Sequence, residues 1–151
     1  MNAASAIEQL QAVGFEFSLS HGYPDEEIRY SYKGNGRADT EKIRLLLQSV
    51  KQYRNAAVEV LRVRKAHLAW IEVWDQWTED DNPENDTVHA NRLATAAIIG
   101  KLPFYEDGEN DAGPDAWRLW ARQYAKSETT LQEEVMPMRA RDPRPLPWET
   151  H

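Results

Sequence analysis

The sequence predicts an α+β protein: an N-terminal helix, a β-hairpin and a long helix, followed by a mainly α-helical C-terminal region. Three observations carry that expectation. Alternation of apolar and polar residues with a period of two is confined to one stretch, GFEFSLSHGYPDEEIRYSYKG, at residues 14–34, and that period describes half-buried strands. Elsewhere apolar residues recur every three or four positions, the period of an amphipathic helix. Finally, neither Gly nor Pro occurs between Ala38 and Thr78, so helix can run far without a breaker.

Taken in order, AASAIEQLQA sets Ile7 and Leu10 three apart with Ala3, Ala6 and Val13 nearby, which suits a short helix that Gly14 stops. Phe15, Phe17 and Leu19 alternate with Glu16, Ser18 and Ser20, and Ile28, Tyr30 and Tyr32 alternate with Arg29, Ser31 and Lys33. Gly22, Pro24 and Asp25 between the two runs predict a hairpin with a longer loop. Gly34, Asn35 and Gly36 end the second strand, and their tolerance of positive backbone torsions makes them a turn rather than a phosphate loop.

Asp39 or Thr40 is placed to cap the next helix, whose first turn carries Glu41. Its stripe is Ile43, Leu46, Leu47, Val50, Tyr53, Ala57 and Leu61, and a bend is expected near the basic cluster Arg62, Arg64 and Lys65. WIEVWDQW then sets Trp70, Trp74 and Trp77 on one helical face. Thr87 is expected to cap a helix reaching Gly100, and Pro114 to open one that carries Trp117, Trp120, Tyr124 and Leu131 to about Val135. The proline-rich end, RDPRPLPWETH, is expected to be extended. These readings divide the chain into a helix, hairpin and helix unit at residues 1–64, a helical region with two acidic loops at 65–136 and a tail at 137–151.

With 25 acidic and 18 basic residues the net charge is -7, which opposes nonspecific attraction to nucleic acid or anionic membrane. Direct nucleic-acid binding is not expected. Absence of cysteine excludes disulfides, thiolate nucleophiles and thiolate-held metal centres. The N-terminal residues lack a signal-peptide pattern, and no run of about 18 apolar residues occurs, so the expected compartment is the cytoplasm and no membrane is expected as a partner.

Chemistry-bearing motifs are missing from their usual contexts. His21, His67, His89 and His151 form no zinc-helix spacing. No GxSxG, Walker lysine loop or GxGxxG follows a strand. Asp107, Glu109 and Asp111 imitate the start of a calcium loop, but the sixth and twelfth positions are Ala112 and Arg118 where glycine and glutamate are required. The expectation is a noncatalytic protein without cofactor or metal, although dispersed carboxylates acting as an enzyme site leave no local signature.

The tryptophans read either as core or as an interaction surface, because each long helix needs a buried face and aromatic residues also anchor interfaces. Trp148, in the tail, is the best anchor candidate. A second surface is electrostatic: residues 79–117 hold ten acidic and two basic side chains. Among these, Asp80, Asp81, Glu84, Asp86, Asp107, Glu109 and Asp111 would imitate phosphates in an acidic inhibitor of a nucleic-acid-binding protein, a role that suits a phage or mobile element.

The order helix, hairpin and capped helix, with GFEFSLS, a polar turn, IRYSYKG and then IRLLLQSVKQYRNAAVEVL, resembles the N-terminal docking domains of TubC type over about residues 3–62. Departures are that no synthase module follows and that the remaining residues are unrelated helices. The resemblance implies a unit, often a homodimer, whose exposed hairpin receives a short segment of a partner protein. It marks Phe17, Leu19, Arg29, Tyr30 and Tyr32 as positions on or beside the receiving surface. Edge physics points the same way, since a two-stranded hairpin leaves unpaired backbone groups and needs a helix over one face. The leading expectation is therefore an adaptor that works through the hairpin or the aromatic helices; the acidic inhibitor is the alternative.

Overall fold

The computed structural model describes residues 2–34, 40–75, 83–101 and 116–141. It bears out the α+β class, with helices and one antiparallel hairpin. Two compact units divide at residue 61: Met1–Leu61 and Arg62–His151.

In the first unit, helix α1 (Ala3–Ala12) starts where Asn2 Oδ1 accepts the Ser5 amide at 2.7 Å, filling one orphan donor of the first turn. Ala3, Ala6, Ile7 and Leu10 form its buried face. Gly14 ends it with φ of +109° and turns the chain directly into β1 (Phe15–Ser20), which pairs with β2 (Glu27–Tyr32). Helix α2 (Thr40–Gln52) and the first residues of α3 (Arg54–Asp75) complete the unit. Leu46, Val50, Ala57, Val60 and Leu61 close over Ile7, Leu10 and Phe15, while Phe17, Leu19 and Ile28 pack at the margin. The hairpin thus has the helical cover that two strands require for stability.

No break falls at residues 62–65, where a bend is expected: α3 runs unbroken from Arg54 to Asp75, and the helix is interrupted instead at Tyr53, between α2 and α3. Tyr53 N–H still donates to Ser49 O at 3.0 Å, and Ala57 N–H to Tyr53 O at 2.9 Å. The helix is thus interrupted for one residue while these helical hydrogen bonds continue, without the Gly or Pro that would mark the place in sequence. Arg62 and Arg64 do not perturb the helix; both are drawn into hydrogen bonds in the second unit. Asp39, one of the two expected caps, lies outside the described residues, and Thr40 is the first helical residue.

The second unit contains the rest of α3, α4 (Pro83–Ile99), α5 (Ala116–Tyr124), the short α6 (Glu128–Thr130), a π-helical turn at Leu131–Val135 and α7 (Met136–Arg141). Helix α4 opens at Pro83 rather than Thr87, consistent with proline's preference for a first helical position. The helical C-terminal stretch runs past Val135 to Arg141, so residues 137–141 are helical rather than extended. Pro137 enters just after the π turn, where Met136 N–H reaches back to Leu131 O. A wider turn relieves the clash a proline ring makes in a regular helix. Residues 142–151 and Pro114 lie outside the described residues.

Trp70, Trp117 and Trp120, each 3% exposed, form the centre of this unit. Ring centroids are 4.9 Å apart for Trp117 and Trp120 and 5.7 Å apart for Trp70 and Trp117, within the range of favourable aromatic pairs. Trp70 Nε1 donates to Asn91 Oδ1 at 3.2 Å, and Trp120 Nε1 to Thr95 Oγ1 at 2.7 Å, while the Thr95 hydroxyl donates to the Asn91 carbonyl at 2.9 Å. These three tryptophans are core, the first of the two readings that their helical spacing allowed. Trp74 is helical, with its side chain outside the described set, and Trp77 lies outside the described residues.

Thr95→Val keeps the shape of the side chain but removes the acceptor of a buried indole N–H. We expect a loss of about 1–3 kcal/mol, the cost of one unsatisfied buried donor. Urea unfolding followed by tryptophan fluorescence measures it cleanly, since every tryptophan lies at residue 70 or beyond.

Candidate functional site

The hairpin is the one β element among the described residues, and its register explains which groups it offers. Phe15 faces Tyr32, Phe17 faces Tyr30 and Leu19 faces Ile28; Glu16 faces Ser31, Ser18 faces Arg29 and Ser20 faces Glu27. All six apolar residues consequently share one face, as the period of two requires. Phe15 is buried, Phe17, Leu19 and Ile28 are half-buried, and Tyr30 and Tyr32 remain 46% and 42% exposed. Phe15 touches both tyrosines, at ring-centroid distances of 6.1 and 5.1 Å, and Phe17 lies 6.0 Å from Tyr30. The aromatic row thus runs from core to solvent along one face.

The phase of the ladder follows from one hydrogen bond. Lys33 N–H donates to Gly14 O at 2.7 Å, so residues 14 and 33 form a hydrogen-bonded pair, and alternate pairs inward from it do likewise. Glu16, Ser18 and Ser20 therefore direct their backbone groups at β2, and Glu27, Arg29 and Ser31 direct theirs at β1. The backbone groups of Phe17 and Leu19 point away on one edge, and those of Ile28 and Tyr30 on the other. Among the described residues no third strand pairs with either edge. Unpaired edge groups beside a partly exposed aromatic row are the requirement for strand addition.

The opposite face is polar. Arg29 Nε donates to Ser20 Oγ at 3.2 Å, and its Nη2 lies 3.8 Å from Glu27 Oε2, which also lies 3.8 Å from His21 Nε2. Arg29 is exposed but already bridges the two strands, so it braces the hairpin as well as presenting charge. Lys33 is exposed at the strand end.

Two glycines let the two ends of the hairpin meet. A Cβ on Gly14 would stand 2.6 Å from the Gly34 Cα, and one on Gly34 would enter the Tyr32 ring. The chain ends of the hairpin are close enough that backbone meets backbone, a contact only glycine permits.

Of the sequence-derived site residues, Phe17, Leu19, Arg29, Tyr30 and Tyr32 all lie on the hairpin, with Arg29 on the face opposite the other four. Glu84 and Asp86 fall within α4, their side chains outside the described set. Asp80, Asp81, Asp107, Glu109, Asp111 and Trp148 lie outside the described residues. Sequence reasoning missed the Arg64 and Glu134 pair: Arg64 Nε and Nη2 donate to the two carboxylate oxygens at 3.1 and 3.0 Å, with Glu134 1% exposed. It also missed Arg62, whose Nη1 donates to the Tyr124 carbonyl at 2.6 Å. Nothing local distinguishes Glu134 from exposed Glu133 beside it.

No three His, Cys, Asp or Glu residues converge as a metal site among the described residues, and no helix there is long and apolar enough to cross a membrane. No family model, curated protein or solved structure matches the chain.

Proposed function

We propose that the chain is a noncatalytic, cytoplasmic adaptor whose hairpin receives an extended segment of a partner protein by strand addition. The observation that carries this reading is that no strand among the described residues pairs with either edge, with outward backbone groups at Phe17 and Leu19 on one side and Ile28 and Tyr30 on the other. Main-chain hydrogen bonds supply affinity in such docking, and the half-exposed tyrosines supply side-chain selectivity. The resemblance of residues 3–62 to docking domains of TubC type supports the same use of the hairpin. Burial of Trp70, Trp117 and Trp120 moves the proposed surface from the aromatic helices to the hairpin.

The alternative, an acidic protein that imitates nucleic acid, rests on the ten acidic side chains of residues 79–117. The two readings separate in one experiment. Partner capture from the native host is compared at low and high salt for the natural chain, Tyr30→Glu, and a variant with Asp80, Asp81, Asp107 and Asp111 changed to Asn. Docking predicts capture that survives salt and falls at least about tenfold in Tyr30→Glu, or about 1.4 kcal/mol. Loss confined to the Asn variant, with steep salt dependence, would replace docking by charge mimicry.

A further inference from the structure

We infer that β1 is the receiving edge of the hairpin and that it takes, antiparallel, an extended partner segment reading apolar, hydroxyl, apolar, basic. The inference rests on the docking reading and narrows it to one edge and one partner chemistry.

The two edges differ in what stands beside their outward backbone groups. Along β2, Glu27 and Arg29 are exposed on the polar face and exposed Lys33 follows just past the strand end. Arg29 is braced there by Ser20 Oγ at 3.2 Å and Glu27 Oε2 at 3.8 Å. Charged side chains, lysine above all, are how sheets discourage pairing at an edge, and any strand laid on β2 must answer charges of both signs at once. β1 carries no such guard: Glu16 is its sole charged residue, and Ser18 and Ser20 complete its polar face. The apolar side differs too. Phe17 and Leu19 are both half-buried and packed on the core of the first unit, whereas Tyr30 on β2 stays 46% exposed. Apolar residues set beside Phe17 and Leu19 would extend an existing core, so β1 gains more burial from an added strand.

The ladder phase supplies the side-chain pattern. Phe17 and Leu19 direct N–H and C=O outward, and among the described residues no backbone bond reaches them from outside the hairpin. In an antiparallel addition they form the hydrogen-bonded pairs, and Glu16 and Ser18 fall at the non-hydrogen-bonded pairs, where facing side chains come closest. Glu16 is exposed and takes part in no ion pair among the described residues. A lysine or arginine directly opposite it is attracted and an aspartate or glutamate repelled, while a serine or threonine opposite Ser18 gains a hydroxyl partner. Followed antiparallel from Leu19 to Glu16, the segment is therefore apolar, hydroxyl, apolar, basic. The net charge of -7 favours the approach of such a segment over an acidic one. Tyr30, its ring 6.0 Å from Phe17 across the ladder, supports the apolar side of this edge from within the hairpin.

The test adds capped synthetic peptides to the isotope-labelled full chain and reads amide hydrogen exchange residue by residue. The basic peptide has valine, threonine, valine and lysine in that order at its centre; its twin has glutamate in place of the lysine. The expected result is slower exchange at the Phe17 and Leu19 amides with the basic peptide, no change at Ile28 and Tyr30, and binding about three- to tenfold weaker for the twin. Glu16→Lys should reverse that preference. Protection at Ile28 and Tyr30 instead overturns the choice of edge and leaves strand addition standing. Equal binding of the two peptides, or an unchanged preference in Glu16→Lys while circular dichroism shows it folded, overturns the assigned chemistry. A basic peptide that protects neither edge overturns the inference as a whole. If the partner captured from the host also protects neither, strand addition falls with it.

Discussion

Arg64→Ala is expected to destabilise the second unit by about 3–5 kcal/mol, the cost of breaking a buried ion pair by removing one member. Glu134 is 1% exposed and receives both forks of the guanidinium, so truncating Arg64 removes two charge-assisted hydrogen bonds from a carboxylate that water does not reach. Arg64 itself keeps 20% exposure, which admits some solvent screening and points to the lower end of that range. The double change Arg64→Met with Glu134→Leu should restore stability to near the natural value, since apolar side chains of similar volume avoid both desolvation penalties. Urea midpoints read by tryptophan fluorescence distinguish the cases. A loss below about 1 kcal/mol in Arg64→Ala would mean that the pair behaves as a surface ion pair.

Gly14→Ala should cost the first unit about 3 kcal/mol, combining two penalties of about 1–3 kcal/mol each. One is torsional, since φ of +109° lies outside the regions an L-residue with a Cβ occupies comfortably. The other is steric, since the new methyl group would stand 2.6 Å from the Gly34 Cα and 2.7 Å from its nitrogen. Relief requires separating the two ends of the hairpin, which breaks the Lys33 to Gly14 hydrogen bond that sets the ladder phase. Faster amide exchange at Ser18 and Arg29, whose N–H groups point into the ladder, is the measurement. Unchanged protection there would show that the junction relaxes without loosening the strands. The same variant should weaken partner docking, because docking depends on an ordered edge.

The hairpin was legible because alternation over two short runs leaves one solution: Phe15, Phe17 and Leu19 on the same side as Ile28, Tyr30 and Tyr32. A slip of one residue would turn all six outward. The interruption at Tyr53 was not legible, because the helical hydrogen bonds continue through it and the apolar spacing passes without a break. The tryptophans were ambiguous for a related reason. A stripe at helical spacing looks the same whether another helix or a foreign protein covers it, and only the packing of α4 and α5 with Asn91 and Thr95 made Trp70, Trp117 and Trp120 core.

Local periodicity and the placement of breakers, which act over a few residues, were enough to determine the α+β class, the helix, hairpin and helix order, and the residues that line the hairpin face. Tertiary structure alone decided three things that depend on residues far apart in sequence: the approach of Gly14 to Gly34, the burial of Glu134 against Arg64 and the absence of a third strand beside the hairpin among the described residues. Each is a question of what lies next to a group in space, and covalent order does not encode that until the chain has folded.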